Sequence, residues 1–224
     1  LCFMKKIIIP MLILACLACD TAGAQVRVRV RPGVGYPRYR KVTKRTVVKK
    51  IVTEKFKPTV LLSAGYGFPN LDKEQLADFR YYYKGDYAQT GPITAALDYR
   101  FSRMMSIGLL VSHGKTSVPY YDGSNAKVLD GSLDNWAFML NLVRYMPINN
   151  SKVTPYLRTA IGVNTWKQDY IDAAGNKLNY IEKPSELAYQ AGLGAQFSLS
   201  DNARIFLEAG YGKYILHGGL SFVF

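Results

Sequence analysis

The last nine residues of the chain, Leu216-His217-Gly218-Gly219-Leu220-Ser221-Phe222-Val223-Phe224, alternate in character with a period of two. A β-strand sends successive side chains to opposite faces. Leu216, Gly218, Leu220, Phe222 and Phe224 therefore share one apolar face, and His217, Gly219, Ser221 and Val223 share the other. Such a strand carries a row of unpaired N–H and C=O groups along each edge. It demands partners on both sides, and the chain upstream has to supply them.

Seven further stretches alternate in the same way: 59–68, 91–101, 104–113, 135–145, 153–165, 186–199 and 204–212. Their apolar faces include Val60, Leu62 and Ala64, then Ile107, Leu109 and Val111, then Phe138, Leu140 and Leu142, and hold no charged residue. Their other faces carry Ser63, Gly65, Thr94, Asp98, Arg100, Ser106, Asn141, Arg158, Asn164, Gln190, Gln196, Glu208 and Gly210. Short turns at 102–103, 147–152 and 200–203 alternate with long loops at 69–90, 114–134 and 166–185, and the last connection, 213–215, is short. The long loops therefore gather at one end and both ends of the alternating region at the other. The only helical signal is a turn or two over 71–79.

The pattern predicts an all-β fold, an eight-stranded antiparallel up-and-down barrel. A water-soluble barrel turns its apolar face inward, and a membrane barrel turns it out to lipid. The polar face here is rich in Gly and small hydroxyls, which suits a cramped interior, whereas a wet surface would favour Lys and Glu. The strands match the roughly 9–11 residues that cross a bilayer at a tilt. Aromatic residues gather near strand ends, and Tyr66, Tyr99, Trp136, Tyr145, Trp166 and Tyr211 are expected in an interfacial girdle. Within hydrocarbon every backbone polar group must be paired, so a spanning sheet has to close. Closure joins 216–224 to both 204–212 and 59–68, and Leu216, Leu220, Phe222 and Phe224 are its lipid-facing anchors.

Charge divides the chain. Residues 25–57 hold twelve Lys or Arg against Glu54, a net +11, while 58–224 hold fifteen bases and fourteen acids, a net +1. The basic character belongs to a short extended arm, which excludes a nucleic-acid reading of the whole chain. Ahead of the arm, Lys5-Lys6, an apolar run over 7–19 and Ala22-Gly23-Ala24 before Gln25 form a secretory signal peptide over 4–24. The alternative is a lipoprotein signal acylated at Cys16 or Cys19. No cysteine follows Cys19, so cleavage before Gln25 leaves no thiol chemistry. The domains are thus a signal peptide at 4–24, a basic arm at 25–57 and a barrel at 58–224.

The signal peptide, the eight alternating strands, the alternating loop lengths and the terminal Gly-Gly-Leu-Ser-Phe-Val-Phe together resemble the small bacterial outer-membrane β-barrel family. That group includes the OmpA-type transmembrane domain, the OmpX and opacity-type adhesins and the OmpW-like barrels. The resemblance covers 58–224 and implies a bacterial outer-membrane location with both termini periplasmic. It also implies contact with outer-membrane lipids and lipopolysaccharide, and a carboxy-terminal signal read by the barrel-assembly machinery. The basic arm has no counterpart in it, and by its charge is expected to touch anionic lipid or cell wall.

Four charges fall on the inward face: Asp98 and Arg100 two residues apart, and Arg158 and Glu208 two strands apart. A buried unpaired charge is costly, so they are expected to form one paired network. His217 also faces inward, and related barrels include lipid A-modifying enzymes built on a His–Ser pair. No His-x-Ser spacing lies on one strand here, so no catalytic residue is expected. Two histidines make no metal site, and no cofactor is expected. The loop aromatics Tyr81-Tyr82-Tyr83, Tyr120-Tyr121, Tyr170 and Tyr180 suit protein or glycan contact. The reading is a non-enzymatic, monomeric barrel that supports envelope integrity or surface interaction. The alternatives are a narrow transport barrel and, behind it, a lipid A-modifying enzyme.

Overall fold

The computed structural model describes residues 56–146, 152–178 and 183–224. The signal peptide, its cleavage residues and nearly all of the basic arm lie outside the described residues, as does Tyr180. The strands are β1 (Thr59–Phe68), β2 (Tyr83–Lys84), β3 (Ala88–Arg100), β4 (Met105–Tyr121), β5 (Lys127–Tyr145), β6 (Val153–Asp172), β7 (Leu187–Ser198), β8 (Ala203–Tyr211) and β9 (Leu216–Val223).

All but the two-residue β2 form a closed antiparallel wall in which sequence neighbours pair and β9 returns to β1. At the seam Leu62 pairs with Phe222, Ala64 with Leu220 and Tyr66 with Gly218. Beyond β9, Phe224 N donates to Val60 O at 2.9 Å and Val60 N to Phe224 O at 3.1 Å. Inside the seam Ser63 Oγ donates to Ser221 Oγ at 3.1 Å. Closure leaves no free edge along the wall, which is the condition for crossing hydrocarbon.

Burial alternates along every strand. In β1 Leu61, Ser63 and Gly67 are buried while Val60, Leu62, Ala64, Tyr66 and Phe68 are exposed. Register lines up Phe222, Leu62, Leu97, Leu109, Leu140 and Ile161 as one outward row across six strands. All six are exposed, between 42% and 60%. So continuous an apolar belt is a lipid-facing surface.

Of the three expected loops, 114–134 is largely strand and 166–185 begins as strand, to Asp172. β4 and β5 stay paired from Lys115↔Asp134 to Tyr121↔Lys127, and β6 follows β5 to Leu129↔Asp172. The three strands rise beyond the lipid belt as a fin. Its outer face turns polar, with Lys115, Asp134, Lys167 and Asp169, so the apolar alternation that marks lipid contact ends although the hydrogen-bonded ladder does not. Its inner face keeps Val118, Tyr120, Leu129, Leu133 and Tyr170, which are buried with Leu76 and Ala77 from the connection between β1 and β2. β3 also starts earlier than expected, at Ala88, with a bulge between Thr90 and Ile93 where Gly91 takes φ +78°, a conformation that favours glycine.

The expected helical turn is a 3-10 helix at Leu71–Gln75. Asn70 caps it, its side chain accepting from Asp72 N at 3.1 Å. Leu71 and Asp72 are buried, so the turn is tucked into the barrel mouth.

Deleting Phe222–Phe224 removes the Phe222 pairing and both Phe224 hydrogen bonds at the seam. The truncated chain is expected to stay unfolded or be degraded. Heat-modifiable migration of the truncated protein from the outer-membrane fraction would contradict this account of closure.

Candidate functional site

The barrel interior is the first place to look for chemistry, because its strands converge their polar side chains there. Arg158 on β6 and Glu208 on β8 both point inward, with β7 between them. Arg158 registers with Gly192, and Glu208 with Gly194. Neither glycine has a side chain to block the approach: a Cβ at Gly192 would lie 2.8 Å from Glu208 Oε1, and one at Gly194 2.5 Å from Tyr156 Cζ. The pair meets across β7, Arg158 Nη1 to Glu208 Oε2 at 3.1 Å, with both side chains buried. Tyr156 OH donates to Glu208 Oε2 and Tyr214 OH to Oε1, each at 3.0 Å. The rings of Tyr156 and Phe206 lie 5.6 and 6.0 Å from Arg158 Cζ. Glu208 thus has three donors, the satisfaction a buried carboxylate requires.

The other two expected members of this network stand apart. Asp98 is buried and accepts from Asn141 Nδ2 at 2.7 Å, with no Lys or Arg at ion-pair distance among the described residues. Arg100 has the inward parity of Asp98 but sits one step from the end of β3. Its guanidinium turns to the short-turn end of the barrel, donating to the carbonyls of Ser102 and Arg103 and stacking 4.1 Å from the Tyr145 ring. A long side chain at a strand end reaches water, and Arg100 does not join the expected inward network.

The girdle also needs correction. Tyr66, Tyr99, Trp136 and Tyr211 face outward and are about half exposed. Tyr145 shares the parity of Asn141 and Val143 and is buried inside with Val143 and Tyr156. Trp166 shares the parity of Asn164, packs on the inner cluster of the fin, and donates from Nε1 to Ser185 O at 2.8 Å. Leu216, Leu220, Phe222 and Phe224 all face outward and exposed along the seam.

His217 contacts Thr94 Oγ1 through Nε2 at 2.7 Å and lies between the rings of Tyr214 and Phe206, at 4.3 and 4.9 Å. No serine–histidine–acid arrangement forms around it in the described residues, and no group of metal-ligating side chains is found among them.

A second charged cluster, absent from the sequence reading, lies at the barrel mouth. Lys213, between β8 and β9, meets Asp72 of the 3-10 turn, Nζ to Oδ1 at 2.7 Å, both buried. Asn135 Nδ2 donates to Asp72 Oδ2 at 2.8 Å. Lys213 Nζ also lies 5.0 Å from the Trp166 ring centroid, and its backbone N donates to Gln190 Oε1 at 2.7 Å. The two residues are 141 positions apart, and only the fold brings them together.

A family model described as an outer membrane protein beta-barrel domain matches residues 10–222, nearly the whole chain. The chain belongs to this outer-membrane β-barrel family. Its place is therefore the bacterial outer membrane. Among solved structures, the attachment invasion locus protein Ail of Yersinia pestis, in complex with the heparin analogue sucrose octasulfate, is 16% identical over 75% of this chain and 97% of that one, with a TM-score of 0.39. OprG from Pseudomonas aeruginosa is 11% identical over 75% and 95%, with a TM-score of 0.39. The N-terminal β-barrel domain of OprF from the same organism is 13% identical over 75% and 97%, with a TM-score of 0.35. No curated protein matches the chain.

Two predictions follow from the geometry of this family member. Arg158→Leu leaves Glu208 buried with no cation and is expected to cost roughly 3–5 kcal/mol, part of which the Arg158→Leu, Glu208→Leu double change recovers. Urea unfolding in detergent checks this; a double variant no more stable than the single would remove the pair from the account of stability.

The second concerns the tip of the β4–β5 hairpin, where Asp122 Oδ1 accepts from Ser124 N at 2.9 Å, Ser124 Oγ at 2.7 Å and Ala126 N at 3.0 Å. The Ser124 hydroxyl first, then the Ala126 and Ser124 amides, hold the Asp122 carboxyl below the ordinary carboxylate range. A depressed carboxylate stabilises its turn above the unfolded pKa and loses that contribution as pH falls through the folded one. The tip is expected to stay ordered down to about pH 4 and to loosen below it. An NMR titration of the Ser124 and Ala126 amides with a midpoint above the ordinary aspartate value would contradict this.

Proposed function

We propose that this barrel is non-enzymatic and works through its loop end, as a surface-interaction protein of the outer membrane, with both termini on the periplasmic side. The observation that carries this reading is the contrast between the two regions where work could be done. Below the mouth, the lumen holds Tyr156, Phe206, Tyr214, Met139 and the Arg158–Glu208 pair, all buried. Eight strands give a bore that side chains of this size fill, which disfavours steady passage of solutes.

The loop end is different. Tyr81, Tyr82, Tyr83 and Tyr87 are exposed, Tyr81 at 79%. Tyr83 stacks on Tyr121 with ring centroids 5.9 Å apart, which braces the group on β4. Arg80 and Lys73 lie against the Tyr81 and Tyr87 rings at 5.8 and 5.5 Å. Braced tyrosines beside cations present a broad apolar area with hydroxyl tips, the chemistry of contact surfaces for proteins and glycans.

The test compares the native protein with a Tyr81→Ser, Tyr82→Ser, Tyr83→Ser variant on intact cells, against arrays of glycans and of extracellular proteins. Binding by the native chain that the variant loses, with heat-modifiable migration unchanged, is the expected outcome. Planar bilayers should show no defined single-channel steps. Regular conductance steps from the native protein would replace this reading with the transport one, and binding unaffected by the triple change would move the contact surface off these tyrosines.

A further inference from the structure

The near-neutrality of the barrel conceals a separation of charge along its axis. The short-turn end carries Lys57, Arg100, Arg103, Arg144, Lys152 and Arg204 against one acid, Asp201. Outside that end, residues 58–224 hold ten bases and thirteen acids. The six cations are spread round the rim. Lys57 precedes β1, Arg100 ends β3, Arg103 lies between β3 and β4, and Arg144 is next to last in β5. Lys152 immediately precedes β6, and Arg204 is the second residue of β8. Lys57, Arg103 and Lys152 are exposed, and Arg144 is half-buried.

Two observations set this ring at the level of lipid headgroups instead of in open water. Arg144 shares the outward parity of Leu140 and Leu142, and registers with Met105 on one side and Leu157 on the other. A cation at the last outward position of an apolar column lays its carbons along the wall and carries its charge to the headgroup layer. The rim also sets exposed apolar residues beside its cations. Phe101 and Met104 flank Ser102-Arg103, Met146 follows Arg144-Tyr145, and Leu199 stands close in sequence to Arg204. Apolar groups interleaved with Lys and Arg are the composition of a surface that lies in the membrane interface. A surface that met only the aqueous side would gain nothing from them.

We propose that the short-turn end of the barrel is a binding site for anionic phospholipids. The ring of cations takes the headgroup phosphates of the adjoining leaflet, while the apolar rim residues seat among the first acyl carbons. A zwitterionic lipid offers the same phosphate with its own cation beside it, so preference for lipids of net negative charge is the signature of the site. The site belongs to the barrel wall and adds to whatever the basic residues before Phe56 contribute. It goes beyond the surface-contact reading, which concerns the other end, and does not depend on it.

The test uses the full-length protein in phosphatidylcholine bilayers containing a trace of spin-labelled phosphatidylglycerol or spin-labelled phosphatidylcholine. The fraction of label immobilised at the protein gives the relative affinity. The native chain should prefer phosphatidylglycerol by about threefold or more, and molar salt should weaken that preference. The triple change Arg103→Gln, Arg144→Gln, Lys152→Gln leaves 25–57 untouched and should remove roughly half of the preference or more. Asp201→Lys, which replaces the one acid of the ring with a base, should raise it. Folding is checked by heat-modifiable migration. The proposal is overturned if the native chain shows no preference. It is also overturned if the folded triple variant keeps the native preference, because the charge before Phe56 then carries it all. Should the triple variant not fold, Asp201→Lys decides, and an unchanged preference overturns the proposal. Salt-sensitive pelleting with purified cell wall that the triple change abolishes, with lipid preference unaltered, would overturn it in favour of the wall.

Discussion

Backbone hydrogen bonding at one seam governs the rest of the molecule. In hydrocarbon an unpaired N–H or C=O costs several kcal/mol, so a sheet survives there only when its first and last strands pair. Here that pairing is β1 with β9, eight registered residue pairs from Leu61↔Val223 to Phe68↔Leu216. Each outward residue at the seam is apolar or glycine, and each inward one beyond the Leu61↔Val223 pair is small or polar. The same demand propagates around the wall through the row from Phe222 to Ile161. The alternation in sequence is therefore the trace of closure.

Closure creates an interior, and the interior sets its own condition. Its charges must be neutralised by what the strands bring inward, since water cannot reach them freely. Glu208 meets that condition with Arg158 and two tyrosine hydroxyls, and the meeting requires Gly192 and Gly194 on the strand between. At the mouth the solution is different in kind. Asp72 arrives on a connection, not a strand, and its partner Lys213 lies on another connection. Pairing between connections is set by how the chain folds back after the wall exists, so it carries less of the rigidity that register gives to Arg158 and Glu208.

That difference also explains what was readable in the sequence. The eight wall strands and the inward positions of Arg158 and Glu208 follow from period-two alternation, which depends only on neighbouring residues. Tyr145 and Trp166 were readable by the same rule: they share parity with Asn141 and Asn164, and the inward assignment was open to anyone who put parity above the habit of placing aromatics at the rim. The fin of β4, β5 and β6 was not, because its outer face meets water. Lys115, Asp134, Lys167 and Asp169 give the pattern of a solvated loop while the ladder continues beneath. Arg100 stands outside the expected inward network because a residue at the end of a strand has the short-turn rim within reach. The Asp72–Lys213 pair left no local signal at all, being a contact between positions 141 apart with no periodicity to link them.

The fin and the turn in the mouth depend on each other. Three strands standing clear of the lipid expose an inner face of Val118, Tyr120, Leu129, Leu133 and Tyr170 that water would otherwise meet. Leu76 and Ala77 cover it, held by Tyr120 OH donating to Ala77 O at 2.7 Å and Ala77 N donating to Tyr170 OH at 3.0 Å. The connection that stabilises the fin is thereby the one drawn across the lumen, with apolar contacts on its later residues and a buried ion pair on its earlier ones. Apolar contact is tolerant of small shifts, while an ion pair at 2.7 Å is not. The connection is thus anchored to the fin at 76–77 and pinned to the mouth at 72.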